Sequence, residues 1–320
     1  MNTWLITARV VHFGSAMFMF GGLAFELFIA RPILDVATLP AGARDALHRQ
    51  LVIGLSWSLA AAVASALVWL VCVAQVMSGQ ALAQVLNRDT LAVVLRETAF
   101  GRLWSLRLPL AVALAALLWG MSRSQPASRE RPSAVAAFAV AAMYLASLAW
   151  AGHAGARADS QRTIELGADA IHLLAAGAWA GALPGLVLLL GSYPQLDACA
   201  HAARRFSTLG MASVGAVVFT GIVNARYLVG DIPALLGTGY GRLLIVKLLL
   251  FAAMLSLAAV NRLVLTPRLV PGTPDAPRTL RRNALLEIAA GVGIVLVVAV
   301  LGITTPAAHH TPAPTERHAH

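Results

Sequence analysis

Long apolar stretches recur along the whole chain and are separated by short segments that hold most of the charged residues. Eight of these stretches reach about 20 residues, the length that a helix needs to cross the hydrocarbon core of a bilayer. A helix satisfies its own backbone hydrogen bonds in lipid, which an open sheet does not. The pattern therefore predicts an all-α, polytopic transmembrane helix bundle. The predicted spans are approximately Leu5–Ala30, Leu51–Val76, Leu103–Met121, Val135–Ala151, Ala168–Leu190, Phe206–Val229, Leu243–Leu265 and Ala284–Thr304.

The amino-acid composition excludes an ordinary soluble globule. Hydrophobic residues make up 59% of the 320 residues and charged residues 12%, whereas soluble domains contain roughly 25% charged residues. The formal net charge of +10 would suggest nucleic acid as a partner of a soluble chain. Here the basic residues lie mostly in short segments between apolar runs, where they set topology. We therefore expect a lipid bilayer, and no nucleic acid, as the partner.

Lysine and arginine are unevenly divided between the two sets of loops. Loops after the odd-numbered spans carry thirteen of the 24 basic residues, and those on the opposite side carry eight. The remaining three, Arg9, Arg107 and Lys247, lie within spans. Since the more basic loops of a membrane protein face the cytoplasm, both termini are expected outside it. We expect one membrane domain over residues 1–304.

Residues 305–320 form a tail rich in proline, alanine and histidine, for which disorder is expected. Its four histidines are candidates for loose metal capture, and a solvated end without function is the alternative. They are His309, His310, His318 and His320.

Ionisable residues are concentrated at the start of the fifth predicted span, in the stretch Trp150–Leu183. An ionisable stripe that enters a membrane helix is costly, and it is usually retained for a pathway or a ligand. A simple polar pair is the alternative, in which Asp169 accepts a hydrogen bond from the Nδ1–H of His172. The residues that share one helix face by their spacing are Glu165, Asp169, His172, Ala176 and Trp179.

The first predicted span carries a second polar stripe. Steps of three, seven and seven residues place Arg9, His12, Met19 and Glu26 on nearly the same helix face. This stripe is a candidate ion pathway, and Met143 of the fourth span is a further candidate for it.

Three histidines, His12, His153 and His172, are expected in the same half of the membrane, although they belong to different spans. Imidazole nitrogen suits copper, zinc, iron and nickel, and thioethers such as Met19 favour monovalent copper. Together with Asp169, these histidines form a candidate metal site.

A haem-binding electron carrier is the main alternative. Paired histidines on transmembrane helices can be the axial ligands of haem b, and Arg9, Arg107 and Lys247 are placed to hold its propionates. The sequence contains no GxxxxGK[ST], H-E-x-x-H or G-x-S-x-G motif. Since ATP-driven pumps and membrane hydrolases commonly use these motifs, we expect no enzyme activity.

The second half of the chain resembles the CopD family of bacterial copper-resistance proteins. The resemblance covers about Trp150–Thr304 and rests on the order of FS, TG-x-x-N, YGR and A-x-x-N-R. The runs that carry it are HLLAAGAWAGAL at His172–Leu183, RRFSTLGMASVGAVVFTGIVNARYLVG at Arg204–Gly230 and LLGTGYGRLLIVKLLLFAAMLSLAAVNR at Leu235–Arg262. In the first 150 residues it rests only on the R-x-x-H of Arg9 and His12.

The resemblance implies a multi-pass inner-membrane protein that handles copper taken from the periplasm. Members commonly act beside a small periplasmic copper-binding protein of the CopC type, so such a partner is expected. Import, export and the supply of copper to enzyme assembly are all compatible with it. A purely structural role in assembly is a further alternative.

Overall fold

The computed structural model describes residues 2–34, 42–79, 81–123, 131–151, 162–192, 196–228, 232–270, 273 and 275–304. Within these ranges the chain is helical and contains no strand. The α-helices are α1 (Asn2–Phe25), α2 (Arg31–Leu34), α3 (Ala43–Ser78), α4 (Leu82–Val85), α5 (Arg88–Glu97), α6 (Ala99–Arg123), α7 (Arg131–Ala146), α8 (Arg162–Ala180), α9 (Leu183–Ser192), α10 (Leu196–Leu228), α11 (Ile232–Gly237), α12 (Gly239–Val260) and α13 (Ala276–Leu301).

Eight helical segments in the described residues are long and apolar enough to cross a membrane, so the predicted all-α, eight-span architecture is confirmed. Most extend beyond the predicted apolar runs, because helical structure continues into the more polar residues at their ends. The spans are Thr3–Ile33, Ala43–Ser78, Phe100–Arg123, Pro132–Ala151, Thr163–Ser192, Leu196–Arg226, Gly239–Arg268 and Ala276–Leu301.

The first span lies at the centre of the bundle. Its apolar window is 72% buried, against 6% for the seventh span. It contacts the second, fourth, fifth and eighth spans. Two large apolar clusters meet on it, one shared with spans two to four and the other with residues of the second span and of spans five to eight. Arg9, His12 and Glu26 of this helix are buried, so they face protein and not lipid.

Glycines of the fifth span let the first span approach closely. A Cβ atom at Gly21 would overlap the backbone of Gly177 and Gly181, and one at Gly185 would meet the Phe25 ring at 2.5 Å. Gly177, Gly181 and Gly185 recur at every fourth residue, a spacing that lets a neighbouring helix approach closely. The fifth span is also interrupted at Gly181 and Ala182, where α8 ends and α9 begins.

Two spans contain a π-helical segment, and both segments begin at a polar residue. One is Glu26–Ala30 in the first span, and the other is Asn261–Leu265 in the seventh. The fourth span ends in a 3-10 segment, Ser147–Ala151. π-helical segments are uncommon in proteins, and those that occur are often found at functional sites. The polar residues of these two segments are therefore candidates for function.

Candidate metal site and neighbouring polar clusters

A cavity of about 230 Å³ opens among α1, α8, α10, α12 and α13, on the side of the bundle where the first span begins. We call it the N-side cavity. Most of its wall is apolar, and charged or hydrogen-bonding side chains converge on it. These are Arg9, Glu165, Asp169, His172, Asn224, Tyr240 and Lys247.

The fifth-span stripe lines this cavity, as its helical spacing predicts. Glu165, Asp169, His172 and Ala176 all contribute to the wall. Trp179, the last member of the stripe, lies beside a different cavity. The helix face that the spacing predicted therefore borders two cavities.

The hydrogen bonds around His172 leave one ring nitrogen free. Nδ1 lies 2.9 Å from Oγ1 of Thr220. The Thr220 hydroxyl donates to the Ala216 carbonyl at 2.6 Å, so its oxygen accepts from the Nδ1–H. The Val217 carbonyl also accepts from the His172 ring. With its proton on Nδ1, the neutral imidazole carries its lone pair on Nε2, to which no described residue is seen to donate. This is the tautomer that binds a metal through Nε2.

Asp169 is held by an amide rather than by the neighbouring histidine. The Nδ2 of Asn224 donates to Oδ1 of Asp169 at 2.6 Å. The alternative prediction, a hydrogen bond from the Nδ1–H of His172 to Asp169, is wrong, because Nδ1 of His172 bonds Oγ1 of Thr220 instead. Thr220 and Asn224 are four residues apart and share one face of α10. They meet His172 and Asp169, which are three residues apart on α8.

Two cations share the N-side cavity with the two carboxylates. Lys247 lies close enough to Asp169 to interact with its charge. The Arg9 guanidinium carbon lies 4.9 Å from the centre of the Trp69 ring. Since Glu165 also lines the wall, the formal charges of the cavity balance.

His12 lies in a separate, closed cluster. Nη2 of Arg107 donates to Nε2 of His12 at 2.6 Å, and Nδ1 of His12 lies 2.9 Å from the Ala62 carbonyl. Because an arginine can only donate, Nε2 accepts and Nδ1 donates. Both ring nitrogens are thus used, and His12 is 1% exposed.

The Arg107 guanidinium links the third span to the fourth. Its Nη1 donates to the Tyr144 carbonyl at 2.9 Å and to Oγ of Ser147 at 2.5 Å. Its carbon also lies 4.0 Å from the centre of the Tyr144 ring. These contacts and the hydrogen bond to His12 use three of the five N–H donors of Arg107 inside the protein, so the structure gives no support to its expected role toward haem propionates.

The two candidate methionines have different surroundings. Met19 is 1% exposed within the apolar cluster shared with spans two to four, whereas Met143 is 52% exposed on the outside of the bundle. Glu26 accepts from Nε of Arg31 at 3.3 Å and lies 3.2 Å from Nδ1 of His48. The four residues of the first-span stripe are buried, but they belong to distinct clusters rather than to one continuous channel.

His153 and the four tail histidines lie outside the described residues. In the part of the chain that is described, no three His, Cys, Asp or Glu side chains are grouped to hold a metal ion. The structure thus brings together Asp169 and His172 but places His12 in another cluster. The site that joins all three histidines stays a prediction, since one of them lies in residues 152–161.

Sequence reasoning overlooked Thr220 and Asn224 as site residues, although its TG-x-x-N motif contains both. Their i, i+4 spacing puts them on one helix face, which was the available signal. Gly221 of the motif faces Cε1 of His172. The motif therefore forms the α10 wall of the site.

The fold and this cavity define a polytopic α-helical membrane protein with a polar site between its helices. Residues 1–163 match the family described as Copper resistance protein D-like, N-terminal domain, and residues 200–301 match Copper resistance protein D. The chain belongs to the copper resistance protein D family, as the resemblance indicated, and it is a multi-pass protein of the bacterial inner membrane.

Three relatives are each 29% identical to the chain. Copper resistance protein D of Pseudomonas syringae pv. tomato aligns over 94% of this chain and 96% of its own length. Inner membrane protein YebZ of Escherichia coli (strain K12) aligns over 95% and 98%. Copper transport protein CutJ of Bacillus subtilis (strain 168) aligns over 64% of this chain and 36% of its own length. No solved structure matches the chain.

Proposed function

We propose that this protein takes copper from the periplasm into the N-side cavity and passes it across or into the inner membrane without ATP hydrolysis and without enzymatic turnover. The family supports a copper-related membrane function. The observation that carries the proposal is the free Nε2 of His172 beside the carboxylate of Asp169. An imidazole nitrogen with a fixed tautomer is a good copper ligand.

Two protein donors do not complete a copper site, and Glu165 lines the same cavity but is not grouped closely enough with them to complete a site among the described residues. His153 remains a predicted ligand because it follows the fourth span and precedes α8. His12 would have to give up its hydrogen bond to Arg107 before it could bind a metal. The geometry thus favours a site built on the fifth span.

The charge of the N-side cavity limits how tightly it holds copper. Arg9 and Lys247 offset Glu165 and Asp169, so an entering cation adds net positive charge to a site of low dielectric. Moderate affinity suits a transport site, since an ion that enters must also leave.

A haem-binding electron carrier is less compatible with this geometry. The cavity of about 230 Å³ is below the roughly 300–1,000 Å³ of typical cofactor sites. Among the described residues that line it, His172 is the one histidine. An absorption spectrum of the purified protein separates the two functions, because haem b gives a Soret band and copper bound by imidazole and carboxylate does not.

The direction of uptake depends on topology. The excess of basic residues in one set of loops supports periplasmic termini, which would place the N-side cavity toward a periplasmic donor of the CopC type. A reporter fused after His320, and a second one inserted in residues 157–162, should both behave as periplasmic. Cytoplasmic behaviour of both would reverse the proposed direction.

The proposed function is tested by copper uptake into vesicles that contain the purified protein. We expect uptake without added ATP, and loss of uptake in a His172→Ala variant. The matched control is His201→Ala, because His201 is exposed on α10 and does not line the cavity. Equal uptake by His172→Ala and the wild type would refute the proposed site.

A further inference from the structure

A second cavity, of about 580 Å³, lies among α8, α9, α10, α12 and α13, toward the opposite side of the bundle. We call it the far cavity. Its wall is mainly apolar and includes Trp179, Phe206 and Met211. Four helices, α8, α10, α12 and α13, line both cavities.

Glu287 of the eighth span lines the far cavity, and one of its two carboxyl oxygens lacks a hydrogen-bond partner. The residue is 1% exposed, and its Oε2 has no hydrogen-bond partner. Its Oε1 accepts from Nδ2 of Asn261 at 2.6 Å, and the Trp179 side chain also hydrogen-bonds the carboxyl group. Nδ2 of Asn283 in turn donates to Oδ1 of Asn261 at 3.0 Å. The π-helical segment of the seventh span begins at Asn261.

The immediate partners of Glu287 are neutral. Of the described residues that line the far cavity, Arg262 is the one other charged group. Its Nη1 donates to Oγ of Ser207 at 2.6 Å. α8 and α9 contribute Trp179 and Leu186, and α10 contributes no titratable group to the wall. An ionised carboxylate in such a place lacks a counter-ion, whereas a protonated one is tolerated.

Glu26 provides a comparison within the same chain. It is also buried and also has an unpartnered Oε2. It differs in its neighbours, because Arg31 and His48 both lie within 3.3 Å of its Oε1. Glu26 therefore has a cationic neighbour, whereas the immediate partners of Glu287 are neutral.

We propose that Glu287 is a proton-binding site that exchanges its proton through the far cavity. The groups that contact the Glu287 carboxyl are the Asn261 amide and the Trp179 side chain, without imidazole or thiolate. Such a site suits a proton better than copper. The Asn261 amide donates to Oε1, and a hydrogen bond to the ionised form favours release of the proton. The use of this proton as the coupling ion for transport rests on the proposed function, but the proton site itself does not.

Carbodiimide labelling tests the proposal in the full-length protein without copper. Dicyclohexylcarbodiimide adds the O–H of a protonated carboxylic acid across one C=N bond, and the adduct rearranges to a stable N-acylurea. Peptide mass spectrometry should show labelling of Glu287 that increases as pH falls, with at least tenfold less labelling of Glu26. Labelling of Glu287 that does not change with pH, or its absence at every pH, would overturn the proposal.

Two variants sharpen the test. Asn261→Leu removes a donor to the carboxylate, so labelling of Glu287 should persist to a pH higher by about one to two units. In pH-difference infrared spectra, Glu287→Gln should remove a carboxylic C=O band that Glu26→Gln retains. An unchanged band in Glu287→Gln would contradict the assignment. A wild type that labels as expected but does not transport copper would refute the proposed function alone.

Discussion

His12 in the first span and His172 in the fifth span have different hydrogen-bond partners, so the same residue type has different roles in two regions of the bundle. His12 accepts from Arg107, a donor that is always charged, and its lone pair is occupied. His172 donates to Thr220, whose own proton is already given to the Ala216 carbonyl. Its Nε2 lone pair is therefore free beside Asp169. In both rings Nδ1 donates to an oxygen, so the availability of Nε2 as a ligand is decided by whether a neighbouring group donates to it.

The largest expected effect concerns copper binding. His172→Ala should weaken copper affinity by more than about 100-fold, since loss of a direct ligand exceeds the 10- to 100-fold effect of an outer partner. His12→Ala should change affinity by less than about threefold, because His12 has no free lone pair. The measurement is copper titration of both variants in detergent, with monodispersity checked.

The same titration tests the predicted three-histidine site. If His12, His153 and His172 share one metal, each single variant should lose most of the affinity, and the double variants should add little, because residues that act as a unit are not additive. That outcome would contradict the different roles assigned to His12, whose Nε2 is occupied, and His172, whose Nε2 is available.

Arg107→Met should lower the free energy of unfolding by about 2–3 kcal/mol, because it leaves the buried Nε2 of His12 without its donor. The matched control is Arg102→Met, an exposed arginine on the same helix, for which about 0.5 kcal/mol or less is expected. Thermal or denaturant unfolding in detergent measures both. Equal stability of the two variants would show that the closed cluster is not structural.

Asp169→Asn should weaken copper binding by about 10- to 100-fold, less than the loss of His172, because asparagine keeps a neutral oxygen donor at the same position. The change removes the anionic oxygen next to His172 but preserves the size of the side chain. Glu165→Gln is the comparison within the same cavity, and a smaller loss is expected because Glu165 lies about two turns before His172. A larger loss in Glu165→Gln would move the site toward the start of α8.

Thr220→Val should have the smallest effect, a loss of copper affinity of about tenfold or less. Valine keeps the shape of threonine but cannot accept from Nδ1 of His172, so the ring tautomer is no longer fixed. Thr208→Val, on the same helix but exposed and outside the cavity, is the control. No difference between these two variants would show that the tautomer is held by another group.

The sequence alone predicted the eight spans and the all-α class, and its glycine spacing indicated a face of the fifth span that a neighbouring helix can approach closely. Apolar length decides spanning because lipid offers no hydrogen bonds to the backbone, and glycine every fourth residue marks a face without side chains. It also grouped Glu165, Asp169 and His172 correctly, since helical spacing is local. The family was recognisable from motifs such as TG-x-x-N, which contains Thr220 and Asn224.

Contacts between helices were decided only by the tertiary structure. Spacing along one helix does not specify the neighbour that each polar residue meets, so His12 and His172 looked equivalent until Arg107 and Thr220 were placed beside them. Met143 likewise shares a helix with buried residues but is 52% exposed. Asn261 and Glu287 lie 26 residues apart on different spans, and only packing joins them. Lateral packing in a bundle depends on all helices at once, and for this reason the chemistry of each buried group was not visible in its own span.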